Sequence, residues 1–391
     1  MRVLVAPDKF AGTLTAVEAA TAIEEGWRRR RPDDEVLRAP LSDGGPGFVD
    51  AMHAALGGRL HALTVRGPLG RPTPATLLLA GTDGLSTGSP AGPPAGPPAG
   101  IVCYVESAQA CGLALLPRDR SGRRPEPDVA ERATTLGVGE LVLAAVQAGA
   151  GEVVVGLGGS GTNDAGAGLL AALGAQAEPP DALTAGAVGL SRLTSVDMAP
   201  ATARLAGVRL VAASDVDNPL LGLRGATNVY GPQKGLSKER LYAVDGALSR
   251  FAHLLDRQAA DAPGAGAAGG IGYALALLGA TRRRGFDLVA QASGFSERLA
   301  AADLVLTGEG SLDPQTFTGK VVAGVAAMAR DAGVPCVALA GRVDVGSREL
   351  RAAGLDGAYG MADAVGLQQA LGRPAQALAD VAERAARTWG R

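Results

Sequence analysis

The chain has 391 residues, room for two or three domains at ~150 residues each. Its 37 basic and 39 acidic side chains leave a net charge of −2, which argues against an obvious nucleic-acid binder. Aromatic residues, at 3%, are too few to stack single strands, while 47% hydrophobic and 19% charged residues fit a soluble globular chain.

Residues 3–6 are a short apolar run ending in Pro7-Asp8, the pattern of a buried strand whose carboxyl end meets a loop. Residues 15–31 read as a helix. Thr13 or Thr15 can cap it, Glu18 stands three past Thr15, and Ala19, Ala20, Ile23 and Trp27 recur at helical spacing. Pro32 stops it. Residues 35–41 form a second strand running into Ser42-Asp43-Gly44-Gly45, and 48–56 a second helix. This βαβα opening implies a parallel sheet with helices on its faces.

Residues 61–80 and 101–106 look like strands of another sheet, with 136–148 and 166–173 as helices. The stretch 81–100 holds Ala-Gly-Pro-Pro twice in tandem and reads as a flexible surface loop. The C-terminal third returns to the first pattern. A strand at 304–307 feeds Gly308-Glu309-Gly310, a helix covers 321–332, a strand covers 334–340, and 374–387 is a closing helix with proline at its first position. The expected layout is therefore discontinuous: 1–58 and 286–391 share one parallel-sheet α/β domain, and 59–285 is an inserted α/β domain. Ligands of open α/β sheets bind beyond the carboxyl ends of the strands, where Asp8, Asp43 and the 308–313 loop fall.

Cys103, Cys111 and Cys336 form no Cys-x-x-Cys pair, which suggests a reducing compartment. Together with His53, His61 and His253 they offer no zinc cluster. The amino terminus meets a charge too early for a secretory signal. The uncharged stretch 263–281 is studded with glycine and reads as a loop and a short buried helix, not a membrane span. A cytoplasmic location with no membrane partner is expected.

The strongest chemical signal is Val153-Val-Val-Gly-Leu-Gly-Gly-Ser-Gly-Thr-Asn-Asp-Ala-Gly-Ala-Gly168, a buried strand, a glycine loop and a helix. Glycines let the backbone approach a ligand, and successive amides can form an anion nest. Gly158, Gly159, Ser160, Gly161, Thr162, Asn163 and Asp164 are the candidate phosphate-binding residues. Gly156, Gly158 and Gly161 also match a dinucleotide fingerprint, but 174–180 is not expected to be the strand that fingerprint needs, although Glu178 has roughly the required spacing. The common P-loop is absent: Pro314 stands where its first glycine belongs, and Val321 replaces Ser/Thr after Gly319-Lys320.

Carboxylates are the second theme. Asp8, Asp43, Asp164, Asp215, Asp217, Glu309 and Asp313 each fall in short polar or glycine-rich segments read as loops. With no histidine or cysteine cluster, the implied metal is Mg²⁺, held by one or two carboxylates plus phosphate. Lysine is the third. Only Lys9, Lys234, Lys238 and Lys320 interrupt a chain that otherwise uses arginine. The two cations are not interchangeable, and three of these lysines fall in loops rich in glycine and polar residues. Lys238 reads as an ordinary first-turn helix residue.

Together these segments resemble the bacterial type-1 glycerate kinase family. The carrying stretches are Ala6-Pro-Asp-Lys-Phe-Ala-Gly-Thr13, Pro40-Leu-Ser-Asp-Gly-Gly45, Val105-Glu-Ser-Ala-Gln-Ala110, 156–168, Ala213-Ser-Asp-Val-Asp-Asn-Pro-Leu220, 230–235, 263–270 and Thr307-Gly-Glu-Gly-Ser-Leu-Asp313. The resemblance implies ATP-dependent, Mg²⁺-assisted phosphorylation of D-glycerate, usually at the 2-hydroxyl. It also implies a flavodoxin-like domain built from both chain ends with a second, mixed-sheet α/β domain inserted. Ala11 stands where the family usually has a basic residue, and Pro46 replaces an acid.

On this reading Asp215 is the general base, with Asp43 as the alternative, and Glu309 and Asp313 are candidate Mg²⁺ ligands. Lys9 and Lys234 neutralise the substrate carboxylate and the transferred phosphoryl group, and Lys320 joins the nucleotide site or the substrate site. Asp8, Phe10, Gly44 and Gly45 are candidate substrate contacts. Two other readings stay open: a hydroxy-acid dehydrogenase using NAD, and a non-catalytic nucleotide-binding protein descended from the kinase.

Overall fold

The computed structural model describes residues 1–10, 12–81, 100–122, 124–317 and 320–390. Ala11 and 82–99, most of the proline-glycine stretch, lie outside the described residues. The strands, in chain order, are β1 Arg2–Pro7, β2 Glu35–Arg38, β3 Arg59–Arg66, β4 Pro72–Gly81, β5 Ile101–Glu106, β6 Ala150–Gly156, β7 Gln176–Glu178, β8 Ser195–Asp197, β9 Arg209–Ala213, β10 Thr281–Arg283, β11 Leu304–Leu312, β12 Cys336–Val343 and β13 Gly357–Gly360. The chain divides into two compact units. The first comprises Met1–Asp43, Asp50–Gly57 and Gly285–Arg391; the second comprises Gly44–Val49 and Gly58–Arg284.

The first unit is a five-stranded parallel sheet in the order β2-β1-β11-β12-β13. Counted along the unit this is 2-1-3-4-5, the doubly wound flavodoxin-like order, whose switch point lies between β1 and β11. Helix Ala16–Arg30 starts with a complete capping box. Glu18 N donates to Thr15 Oγ1, and the Glu18 carboxylate accepts from Thr15 N. Its buried face, including Ile23 and Trp27, packs into a core with Val3, Val5, Leu306 and Leu378. Gly26 sits where helix Pro374–Trp389 crosses: a Cβ there would lie 1.9 Å from Ala379 O. Only a residue without a side chain lets these first and last helices approach so closely.

The second unit holds a six-stranded mixed sheet, β10-β9-β6-β5-β4-β3. β10, β9, β6 and β5 run parallel, and β4 and β3 add an antiparallel edge. Val153, Val154 and Val155 of β6 are buried, as a central parallel strand covered on both faces requires. Helix Leu136–Gln147 is rooted in the same core through Val138, Leu141 and Val142.

Two expectations are corrected. The strand expected at 304–307 continues to Leu312, so Glu309 lies in a strand, not a loop. Glycines make 308–310 look like a turn, but they serve close strand packing: β11 pairs with β12 as far as Leu312–Val343, and a Cβ at Gly308 would lie 2.0 Å from Leu339 O. The segment 174–180 does contain a strand, Gln176–Glu178. It pairs antiparallel with Ser195–Asp197 in a separate two-stranded sheet, so it is not the parallel strand a dinucleotide fold would add.

Candidate active site

In the second unit, β6 runs into the 157–165 loop and then helix Ala167–Leu173. Gly161 N donates to Cys111 O at 2.7 Å. The other backbone N–H groups of 158–164 have no backbone acceptor among the described residues. Amides of this kind on a glycine-rich turn can act as donors to an anion. The loop is seated closely. A Cβ at Gly158 would lie 2.6 Å from Gly45 Cα, and one at Gly159 2.7 Å from the Pro46 ring. Thr162 Oγ1 and Asn163 Oδ1 are buried and have no hydrogen-bond partner among the described residues.

The neighbouring strand β9 ends at Ala213, and Ser214-Asp215 follow it. The Asp215 side chain is largely buried, and Arg284 Nε lies 3.3 Å from Asp215 Oδ1. Arg284 stands just past β10, the next strand in the sheet. On the other flank, β5 ends at Glu106, whose Oε2 accepts from Gly47 N at 2.9 Å. Ser107 Oγ donates to Gly156 O at 2.7 Å. The carboxyl ends of four parallel strands thus carry an acid, a glycine loop, a second acid and an arginine.

In the first unit, Asp8 follows β1, and Lys9 Nζ lies 3.4 Å from both Asp8 Oδ1 and Asp43 Oδ1. Burial pushes the Asp8 carboxyl up to about 7, with Lys9 pulling it down and the charges of Asp43 and Glu309 pushing it further up. Burial works against the Lys9 ammonium, but the carboxylates of Asp8 and Asp43 outweigh it and hold the group above its usual range. Glu309 Oε2 lies 3.7 Å from Lys320 Nζ, while Oε1 is buried without a hydrogen-bond partner among the described residues. Burial also raises the Glu309 carboxyl above its ordinary value, and the Asp313 charge adds to this against Lys320. These groups gather where the end of β1 meets Gly308 and Glu309 of β11, at the switch point beside which such sheets bind ligands.

A model of the glycerate kinase family matches residues 3–390. The chain belongs to the glycerate kinase family. It is 39% identical to the glycerate kinase of Bacillus subtilis, covering 92% of this chain and 90% of that one. It is 36% identical to the glycerate 2-kinase of Escherichia coli, covering 94% and 92%. A crystal structure of a protein provisionally named glycerate kinase 2, from Salmonella typhimurium LT2, is 37% identical and superposes with a TM-score of 0.75, covering 99% of this chain and 98% of that one. Among the described residues of this family member, no helix is long and apolar enough to cross a membrane.

The structure separates the expected site residues by exposure and partners. Asp8, Lys9, Asp43 and Glu309 form one cluster with Lys320, which stands at the residue preceding helix Val321–Ala332. Asp313 is near it in the chain, but its Oδ1 accepts from Thr316 N and so caps the turn Pro314–Phe317. Gly158, Gly159, Ser160, Gly161, Thr162 and Asn163 form the second group, with Asp215 at the adjoining strand end.

Several expected contacts are internal instead. Asp164 is fully buried, and its oxygens accept from Thr135 N, Thr135 Oγ1, Gly166 N and Gly168 N, so it shapes the loop from within. Phe10 is buried in the hydrophobic core of the first unit. Gly44, with φ of +88°, sits where a Cβ would lie 2.7 Å from Ala213 O, and Gly45 lies beneath Gly158; both pack against the ends of β6 and β9. Lys234 is 2% exposed and points its ammonium at the loop, not at solvent. Sequence reasoning missed Arg284 and Glu106. Arg284 carries no motif beyond a run of three arginines, while Glu106 lies within a quoted motif without an assigned role.

Proposed function

We propose that this chain is an ATP-dependent D-glycerate kinase that transfers the γ-phosphoryl group to the 2-hydroxyl, yielding 2-phosphoglycerate and ADP in the cytoplasm. One observation carries this beyond family membership: the amides of 158–164, all but that of Gly161 without a backbone acceptor, and the carboxylate of Asp215 leave the same end of adjacent parallel strands. Phosphoryl transfer asks little of a protein beyond positioning and charge. The loop amides hold the phosphate chain. Asp215, oriented by Arg284, accepts the hydroxyl proton as the substrate oxygen bonds to the γ-phosphorus and the bond to the β-γ bridging oxygen breaks. Lys9, Lys320 and Asp8 serve the hydroxy acid or the transferred group.

Hard oxygen donors fit Mg²⁺, and the unsatisfied Glu309 Oε1 is one such donor. Among the described residues no group of three or more histidine, cysteine or acidic side chains could hold a metal alone, in keeping with an ion shared with phosphate. Glu309 and Asp313 are the side chains that would hold it, and its charge offsets that of the phosphoryl group. The relative named glycerate 2-kinase supports the 2-position.

The test is ADP release from ATP with millimolar D-glycerate, with and without Mg²⁺, followed by phosphorus NMR of the product. A phosphate on C2 couples to one carbon-bound proton and gives a doublet; one on C3 gives a triplet. A triplet overturns the 2-position, and no ADP above background overturns the kinase reading.

A further inference from the structure

Lys234 closes a short turn, Pro232–Lys234, and its side chain ends in the core of the second unit. The ammonium donates to Ser160 Oγ at 3.1 Å and to Thr162 O at 2.7 Å, two residues of the glycine loop. No carboxylate lies within ion-pair distance of it among the described residues. Burying an ammonium without a paired anion is costly, and burial lowers its pKa to about 8. The titratable groups facing it are Cys111 and Asp164. Burial pushes the Cys111 thiol up to about 12, so it stays protonated near neutrality. Both Asp164 oxygens are committed to Thr135 and the start of helix Ala167–Leu173. The Asp164 charge, beyond ion-pair distance, offsets part of this cost, and an anion on the loop would offset more.

Resting on the phosphate-loop reading above, we infer that Lys234 is a positioning residue for the nucleotide. From inside the core it fixes Ser160 and Thr162, and so sets the amides of 158–164 for the phosphate chain, without touching the ligand. Its charge also adds to the loop's attraction for that chain through a low-dielectric interior. Binding a polyphosphate therefore favours the charged lysine. The sign follows: above pH of about 8 the free protein has lost much of that charge, so binding takes up protons and affinity falls as pH rises.

The experiment is calorimetric titration of the full chain with ATP and Mg²⁺, in buffers of different ionisation enthalpy, alongside steady-state kinetics. Lys234→Met is expected to raise the KM for ATP by about 10- to 100-fold, the loss of one or two charge-assisted hydrogen bonds, with much smaller changes in kcat and in the KM for D-glycerate. It also abolishes the proton uptake. A KM for ATP and a proton uptake like those of the wild type overturn the inference. Should Lys234→Met not fold, Ser160→Ala removes one of the two acceptors and is expected to raise the KM for ATP by several-fold; no change overturns the inference. Saturable ATP binding that ignores both substitutions sinks this inference alone. No saturable binding by the wild-type chain sinks the phosphate-loop reading itself.

Discussion

Gly156 and Ala213 are register partners on adjacent parallel strands, and Leu157 N donates to Ala213 O at 2.9 Å. That one pairing brings together two segments more than fifty positions apart in the chain. The glycine loop leaves from one strand and Asp215 from the other, so the proposed phosphate-binding loop and the proposed base leave the same carboxyl end of the sheet.

Asp215→Asn keeps the shape and removes the proposed base. A positioned general base contributes ~10²–10⁴ in rate, so kcat falls by about that factor while the melting temperature stays near that of the parent. A coupled ADP assay with a thermal melt checks both. A kcat within a few-fold of wild type removes Asp215 from this role.

Asp164→Ala acts on the fold. It strips the acceptor from Thr135 N, Thr135 Oγ1, Gly166 N and Gly168 N at a fully buried position. Buried donors left without partners cost about 1–3 kcal/mol each, so a large drop in melting temperature is expected. An unchanged melting temperature with weaker ATP binding would return Asp164 to the ligand.

Asp8 gives the first unit a pH signature. Its carboxyl titrates near 7 when folded, against 3.8 as the ordinary value. The folded chain therefore holds the proton more tightly than the unfolded chain. The stability this provides is complete below 3.8 and is lost as pH rises through about 7. Asp8→Asn lacks this loss. Its advantage in denaturant unfolding grows across that window by on the order of 1–4 kcal/mol and then levels off. A flat difference across the window would show that Asp8 ionises as an ordinary surface carboxylate.

Gly26→Ala tests the closure of the chain ends. The new methyl would lie 1.9 Å from Ala379 O, so helices Ala16–Arg30 and Pro374–Trp389 must part. Overpacking of this kind costs about 1–3 kcal/mol, which outweighs alanine's gain in helix propensity of about 1 kcal/mol or less. Circular dichroism melts are expected to show a lower transition for the variant with kcat retained.

The elements set by local rules were legible in the chain. Thr15 and Glu18 announce the start of helix Ala16–Arg30, and Phe48–Leu56 and Val321–Ala332 follow from apolar spacing alone. The discontinuous parallel-sheet layout was legible as well, because a βαβ pattern at both ends of a chain has few ways to close, while its flavodoxin-like character was implied by the family resemblance. The 308–310 stretch misled, since a glycine needed for close strand packing reads the same as one needed for a turn.

What the sequence by itself determined was the inventory: a strand–glycine-loop–helix, acids near strand ends, and a few lysines in an arginine-rich chain. Which of these are buried, and against which partners, only the tertiary structure decided. Lys234 and Ser160 are separated by 74 positions, and Asp164 and Thr135 by 29. Burial and hydrogen-bond partnership belong to groups brought together across the chain. Lys234 and Lys9 therefore both read as lysines in short polar segments, yet one lies beneath the loop on Ser160 and Thr162 and the other between the carboxylates of Asp8 and Asp43.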